Sequence, residues 1–318
     1  MKNGNFTKQK KKGKISSSPL IGKRIINDID RLLERKIIDI DEIRKAHHIA
    51  EELEAHIQSD TELKQLDPLH AVYVYAHNRM DILAEQLMKL PACVKMVSAI
   101  RDAYDMYTPA FPPISPVTDS YFSCWATLDL EIGSGKESFA KIVIALSHKL
   151  STDQDLVTLY KIMQKSRMGL YFHEGVEGDL IMLRELVTEA EIKCVCPSGY
   201  IGTPGEIWFA RILPEPFPEL GLGYSVVFAT PYVIGITEGG FFKNTGSHAC
   251  WQAYLARTLK KTEKVAGYEK LMKYGLNRYY WNEFIFQGYA NYTDHVVYLT
   301  GIPDQPHTLP HCEDNGWL

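Results

Sequence analysis

A chain of 318 residues, 45% hydrophobic and 23% charged, can bury a large core and has the composition of an ordinary folded protein, not of a fibrous or disordered one. A formal net charge of −4 excludes a body that is basic all over, so any contact with nucleic acid is a local matter. No run reaches the roughly 18–20 apolar residues that span a bilayer, and six scattered cysteines make no disulfide scaffold, so a reducing, cytoplasmic setting is expected.

Residues 1–19 hold six lysines and three serines, with no apolar stretch behind them of the kind a secretory signal needs. Such a segment buries too little surface to offset the entropy of ordering, and a disordered basic arm is expected. Lys8, Lys10, Lys11, Lys12 and Lys14 can attract an acidic partner such as nucleic acid or an anionic membrane. A solubilising tail has the same composition.

Helical spacing then dominates the region 20–107. Ile25, Ile26, Ile29, Leu32 and Leu33 predict a helix over 21–36, and Ile40, Ile43, Ala46, Ala50, Leu53 and Ile57 one over 39–58. Pro68 is placed to open a third, to about Leu90, and 92–107 reads as a fourth. The proline-rich connector 108–117 cannot continue a helix and marks a boundary before an α+β domain over 118–318. Beyond it Thr118 or Asp119 can cap a short helix, while alternation over 122–130 also fits a strand. Helices follow over 137–150 and 153–166.

From 168 to 233 short apolar runs alternate with turns. Five strands are predicted, over 168–173, 180–186, 191–196, 207–213 and 224–233, forming an antiparallel meander or small barrel because no crossover helices separate them. Helices over 244–261, 268–276 and 277–289 and a strand over 295–300 complete an α+β fold with an aromatic-rich helical end. Its Tyr279, Tyr280, Trp281, Phe284, Phe286, Tyr289 and Tyr292 fit a core better than a stacking surface.

Few residue patterns carry chemistry. Gly133-Ser134-Gly135-Lys136-Glu137 lacks the earlier glycine and the hydroxyl that a phosphate loop requires. Two groups offer metal ligands for a metal-dependent enzyme, in first place a hydrolase. His70, His77 and Asp81 share one side of the third helix, flanking its apolar stripe. His173, Glu174, Glu177 and Asp179 sit in a turn between strands, without the spacing of a zinc protease, and a solvated hairpin turn needs the same residues. Cys194 and Cys196 share one face of a strand and suit core packing. His307, His311, Cys312, Glu313 and Asp314 have ligand chemistry in a polar tail.

The run Leu183-Arg184-Glu185-Leu186-Val187-Thr188, with Gly205-Glu206-Ile207-Trp208-Phe209-Ala210-Arg211-Ile212-Leu213-Pro214, resembles a pattern in bacterial proteins of unassigned activity. Glu185 stands where that pattern has aspartate. The resemblance covers about residues 120–235 and implies a bacterial source and a β module, but no activity. Arg184 and Arg211, expected on neighbouring strands near Glu185, suit an ion pair or a charged rim. With no catalytic signature or cofactor motif present, the expected function is a non-catalytic binding or scaffold protein. The lysine arm would reach its acidic partner.

Overall fold

Four of the helices begin where the sequence supplies a side-chain cap. In the computed structural model, which describes residues 20–34, 39–54, 58–107, 114–238, 241–243, 247–259, 263–275, 284–285, 287–293 and 296–310, the Asp67 carboxylate accepts the N–H groups of Leu69 and His70. That cap, with Pro68 in the first turn, starts α4 (Pro68–Met88). Before it run α1 (Ile21–Leu33), α2 (Ile40–Glu54) and the one-turn α3 (Asp60–Leu63); after it comes α5 (Val94–Tyr107). The ambiguous stretch after the connector is helix: Ser115 Oγ accepts the Thr118 N–H at 3.1 Å and Pro116 opens α6 (Pro116–Leu128). Ser138 and Asp153 cap α7 (Phe139–Lys149) and α8 (Gln154–Lys165) in the same way. Glu137 docks α1, its carboxylate accepting the N–H groups of Ile21 at 2.6 Å and Gly22 at 3.0 Å.

The middle of the chain forms β1 (Met168–Glu177), β2 (Leu180–Glu185), β3 (Glu191–Val195), β4 (Ile207–Leu213), β5 (Ser225–Val227), β6 (Tyr232–Glu238) and β7 (Phe241–Lys243). Five of them close a barrel in the order β1-β2-β3-β5-β4, with β4 returning to β1. The antiparallel meander expected from sequence needs correction at one strand. The run 224–233 is two strands, interrupted before Pro231, which has no N–H for a ladder. Its first piece, β5, pairs antiparallel with β4 but parallel with β3, Cys194 opposite Ser225, and this parallel pair closes the barrel. Strand β1 serves two neighbours, Met168–Phe172 facing β4 and Tyr171–Glu177 facing β2, with a bulge between His173 and Gly175.

Beyond the barrel, α9 (Ser247–Thr258) and α10 (Lys264–Tyr274) precede β8 (Tyr289–Tyr292) and β9 (Val297–Thr300). Strand β9 pairs parallel with β6 and so extends the sheet. Phe284 and Tyr289 are buried and Tyr292 is exposed; Tyr279, Tyr280, Trp281 and Phe286 lie outside the described residues.

Alternation divides two cores. Tyr171, Ile181, Leu183, Cys194, Trp208, Ala210 and Val227 fill the barrel. Room for these rings comes from Gly169, where a Cβ would stand 2.4 Å from the Tyr171 hydroxyl. Their neighbours Met168, Leu170, Ile207, Phe209, Leu213 and Val226 face outward into a larger core shared with α4, α6, α7 and α8. Helix α2 stands apart, with Ile40, Ile43 and Ile49 exposed.

One polar contact joins these layers. Arg211 on β4, only 1% exposed, points into the helical layer, where Nη2 donates to Asp129 at the end of α6. Its Nη1 donates to the backbone oxygen and Oγ of Ser166, at the end of α8, at 3.0 and 2.8 Å. Lys273 of α10 lies 2.9 Å from the other Asp129 oxygen and donates to the carbonyls of Ser166 and Gln164. Burial holds the Lys273 ammonium below its ordinary pKa; Asp129 pulls it back and Arg211 pushes it down again.

One carboxylate thus serves two buried cations, and the two sides differ in what their loss leaves behind. Asp129→Ala strands both cations and should cost about 3–5 kcal/mol, whereas Lys273→Met leaves a balanced Arg211–Asp129 pair and should cost clearly less. Urea unfolding of both variants checks this; equal losses would refute it.

Candidate functional site

A groove of about 440 Å³ lies between α4, α6 and the β5 edge. Two tyrosine hydroxyls hold α4 against the barrel there. Tyr73 donates to Pro214 O at 2.6 Å, and Tyr224 donates to Asp67 at 2.7 Å. Residues on one side of α4 then line the groove: His70, Tyr73, His77, Asn78 and Asp81. Helix α6 contributes Asp119, Ser120 and Ser123, and the β5 side contributes Val226, Val227 and Phe228.

His77 and Asp81, one helical turn apart, meet at 3.0 Å between Nδ1 and Oδ2, and the His77 ring stands edge-on to Phe228 at 5.3 Å. Burial raises the Asp81 pKa; His77 opposes that shift and Glu85 adds to it. Burial also lowers the His70 pKa, with Asp67 opposing. Carboxylates and imidazoles shifted from their ordinary ranges in a concave, partly apolar setting are the usual mark of a working site. Placement of His70, His77 and Asp81 together follows the helical spacing. Asp119, Ser120, Ser123 and Phe228 were not identified from sequence, since nothing local announces that α6 and β5 face α4.

The second predicted group is dispersed. His173 is fully buried in the barrel, its Nε2 2.9 Å from Ile201 O and its ring edge-on to Trp208. Glu174 pairs with Arg184 at 2.6 Å and Glu177 with Lys193 at 3.1 Å outside the barrel, and Asp179 is exposed in the turn. Among the described residues no three His, Cys, Asp or Glu side chains are gathered as a metal site. Glu206, beside His173, accepts from Tyr200, Thr203 and the Trp208 indole at 2.8–3.1 Å and so seals that end of the barrel.

Other expectations resolve as follows. Arg184 and Arg211 are not on neighbouring strands, because β2 and β4 flank β1 on opposite sides. Glu185 pairs instead with Arg167 at 2.6 Å. Cys194 is buried in the barrel and Cys196 packs against its core; burial pushes the Cys194 thiol up to about 12. Lys8, Lys10, Lys11, Lys12, Lys14, His311, Cys312, Glu313 and Asp314 lie outside the described residues, and His307 is exposed.

On the β2–β3 face Arg184 and Lys193 are engaged by carboxylates, and a barrel fold by itself carries no function. Comparison with protein-family profiles, curated proteins and solved structures found no match. No helix among the described residues is long and apolar enough to cross a membrane.

The raised Asp81 pKa has a sign that stability can read. A carboxyl with a folded pKa above its unfolded value of about 3.9 stabilises the fold below that value and loses the contribution as pH rises through the folded pKa. Asp81→Asn is therefore expected to gain in melting temperature relative to wild type on going from pH 3.5 to pH 7. Melting curves at both pH values check this; a gain confined to acid would refute it.

Proposed function

We propose that the protein is a non-catalytic binding protein whose ligand site is the groove between α4, α6 and β5. What carries this reading is the concentration of His70, His77, Asn78, Asp81, Asp119 and Ser123 around an apolar wall in a volume of about 440 Å³, within the range of small-molecule sites. The half-buried Asp81 supports it further, since the fold keeps a group there that works against its own stability. A screen of soluble fragments by ligand-observed NMR tests it. Ser123→Trp places a large ring in the groove from an exposed position, so hits should lose at least tenfold in affinity with the melting temperature unchanged. Hits indifferent to that ring would overturn the assignment.

The lysine arm extends this reading to an acidic partner, with nucleic acid the first to test. Removing residues 2–14 should weaken retention on immobilised nucleic acid and flatten its salt dependence. Unchanged retention would remove the arm from the function.

A hydrolytic reading uses the same groove. It is favoured by the 3.0 Å contact of His77 with Asp81, which orients an imidazole as a general base needs, with serine hydroxyls in the same groove. Stoichiometric zinc, iron or manganese in the purified protein would support this reading as a metal-dependent hydrolase.

A further inference from the structure

We propose that the groove takes an organic cation, an ammonium or guanidinium group carrying an apolar substituent. The inference rests on the groove being the ligand site and adds the chemistry of what enters it. Asp81 from α4 and Asp119 from α6 bring carboxylates to the groove from two different helices, and no lysine or arginine among the described residues lines it. Asp81 is met by His77, and Asp119 by the Tyr104 hydroxyl at 3.4 Å, a distance too long for a strong bond. An anionic ligand would face two carboxylates with no lysine or arginine in the groove to compensate, and a neutral one would leave Asp119 to water alone.

The apolar part has two places to lie. Val226 and Phe228 form one wall of the groove. Asp119 and Ser123 also line a second depression of about 400 Å³, bordered by Met88, Ile100, Phe122 and the one cation of its lining, Arg101, so the two meet along one turn of α6. Asp119 stands at that junction, with the cation-free wall of Val226 and Phe228 on one side and apolar surface edged by Arg101 on the other. An elongated ligand can therefore set its cation at Asp119 and its hydrocarbon in either direction. Phe228 and Tyr73 add aromatic surface beside the carboxylates, which favours a cation further.

Three probes of similar size test this by calorimetry on the full chain: 2-phenylethylammonium, neutral 2-phenylethanol and anionic phenylacetate. The ammonium should bind at least tenfold more tightly than the other two, lose at least fivefold in each of Asp81→Asn and Asp119→Asn, and weaken as salt is raised. Equal affinities for the three probes, or carboxamide variants that bind the ammonium as wild type does, would overturn the inference. If 2-phenylethanol binds as tightly as the ammonium and Ser123→Trp abolishes both, the groove stands as a ligand site and the preference for a cation falls. If no probe binds the wild-type protein, the cation falls with the reading it rests on.

Discussion

The arrangement depends on one carboxylate shared by two buried cations. Asp129 answers Arg211 from the barrel and Lys273 from α10, while Ser166 at the end of α8 takes hydrogen bonds from both. Three helices and a strand are tied at one point far below the surface. Apolar packing alone tolerates sliding of a helix over a sheet, because the hydrophobic effect has no direction. A buried charge does not tolerate it, since losing its partner leaves a cation without water or counterion. The cluster therefore fixes where α6, α8 and α10 stand on the outer face of β1 and β4.

That registration shapes the groove. Helix α6 ends at Asp129 and carries Asp119, Ser120 and Ser123 two to three turns earlier, so its anchoring at one end sets the position of its groove-lining face. The opposite wall, α4, is held by Tyr73 and Tyr224 through hydrogen bonds to the barrel's β4–β5 connection and its own N-cap. Both walls are rigid elements, which favours a preformed site over one assembled on binding. Asp81 gives up hydration there, and the imidazole one turn away offsets only part of the loss.

Particular residues show what could be read in advance. His70, His77 and Asp81 were placed on one side of a helix by a 100° step per residue, and they line one groove. The period of two puts Cys194 and Cys196 on one face; Cys194 is inside the barrel and the half-buried Cys196 packs against its core. His173 misled: it adjoins acidic turn residues, yet its own alternation turns it into the barrel while Glu174 turns out. Arg211 was seen as a charge near Glu185, but its partner lies 82 positions earlier in the chain. Separation of that size leaves no local trace, since neither residue's neighbours encode the approach.

Local chemistry thus determined where several helices start, through Asp67, Ser115, Ser138 and Asp153, with Ser115 and not the expected Thr118 or Asp119 capping α6, and which faces of each element are apolar. It also determined that the middle of the chain is sheet. Tertiary structure decided the rest: that β5 closes the barrel by pairing parallel with β3, that Asp129 serves both Arg211 and Lys273, and that α6 brings Asp119 to the groove of His77 and Asp81. The physical reason is that caps and periodicity arise from neighbours within one or two turns. Closure and charge pairing are selected only when distant segments exclude water together.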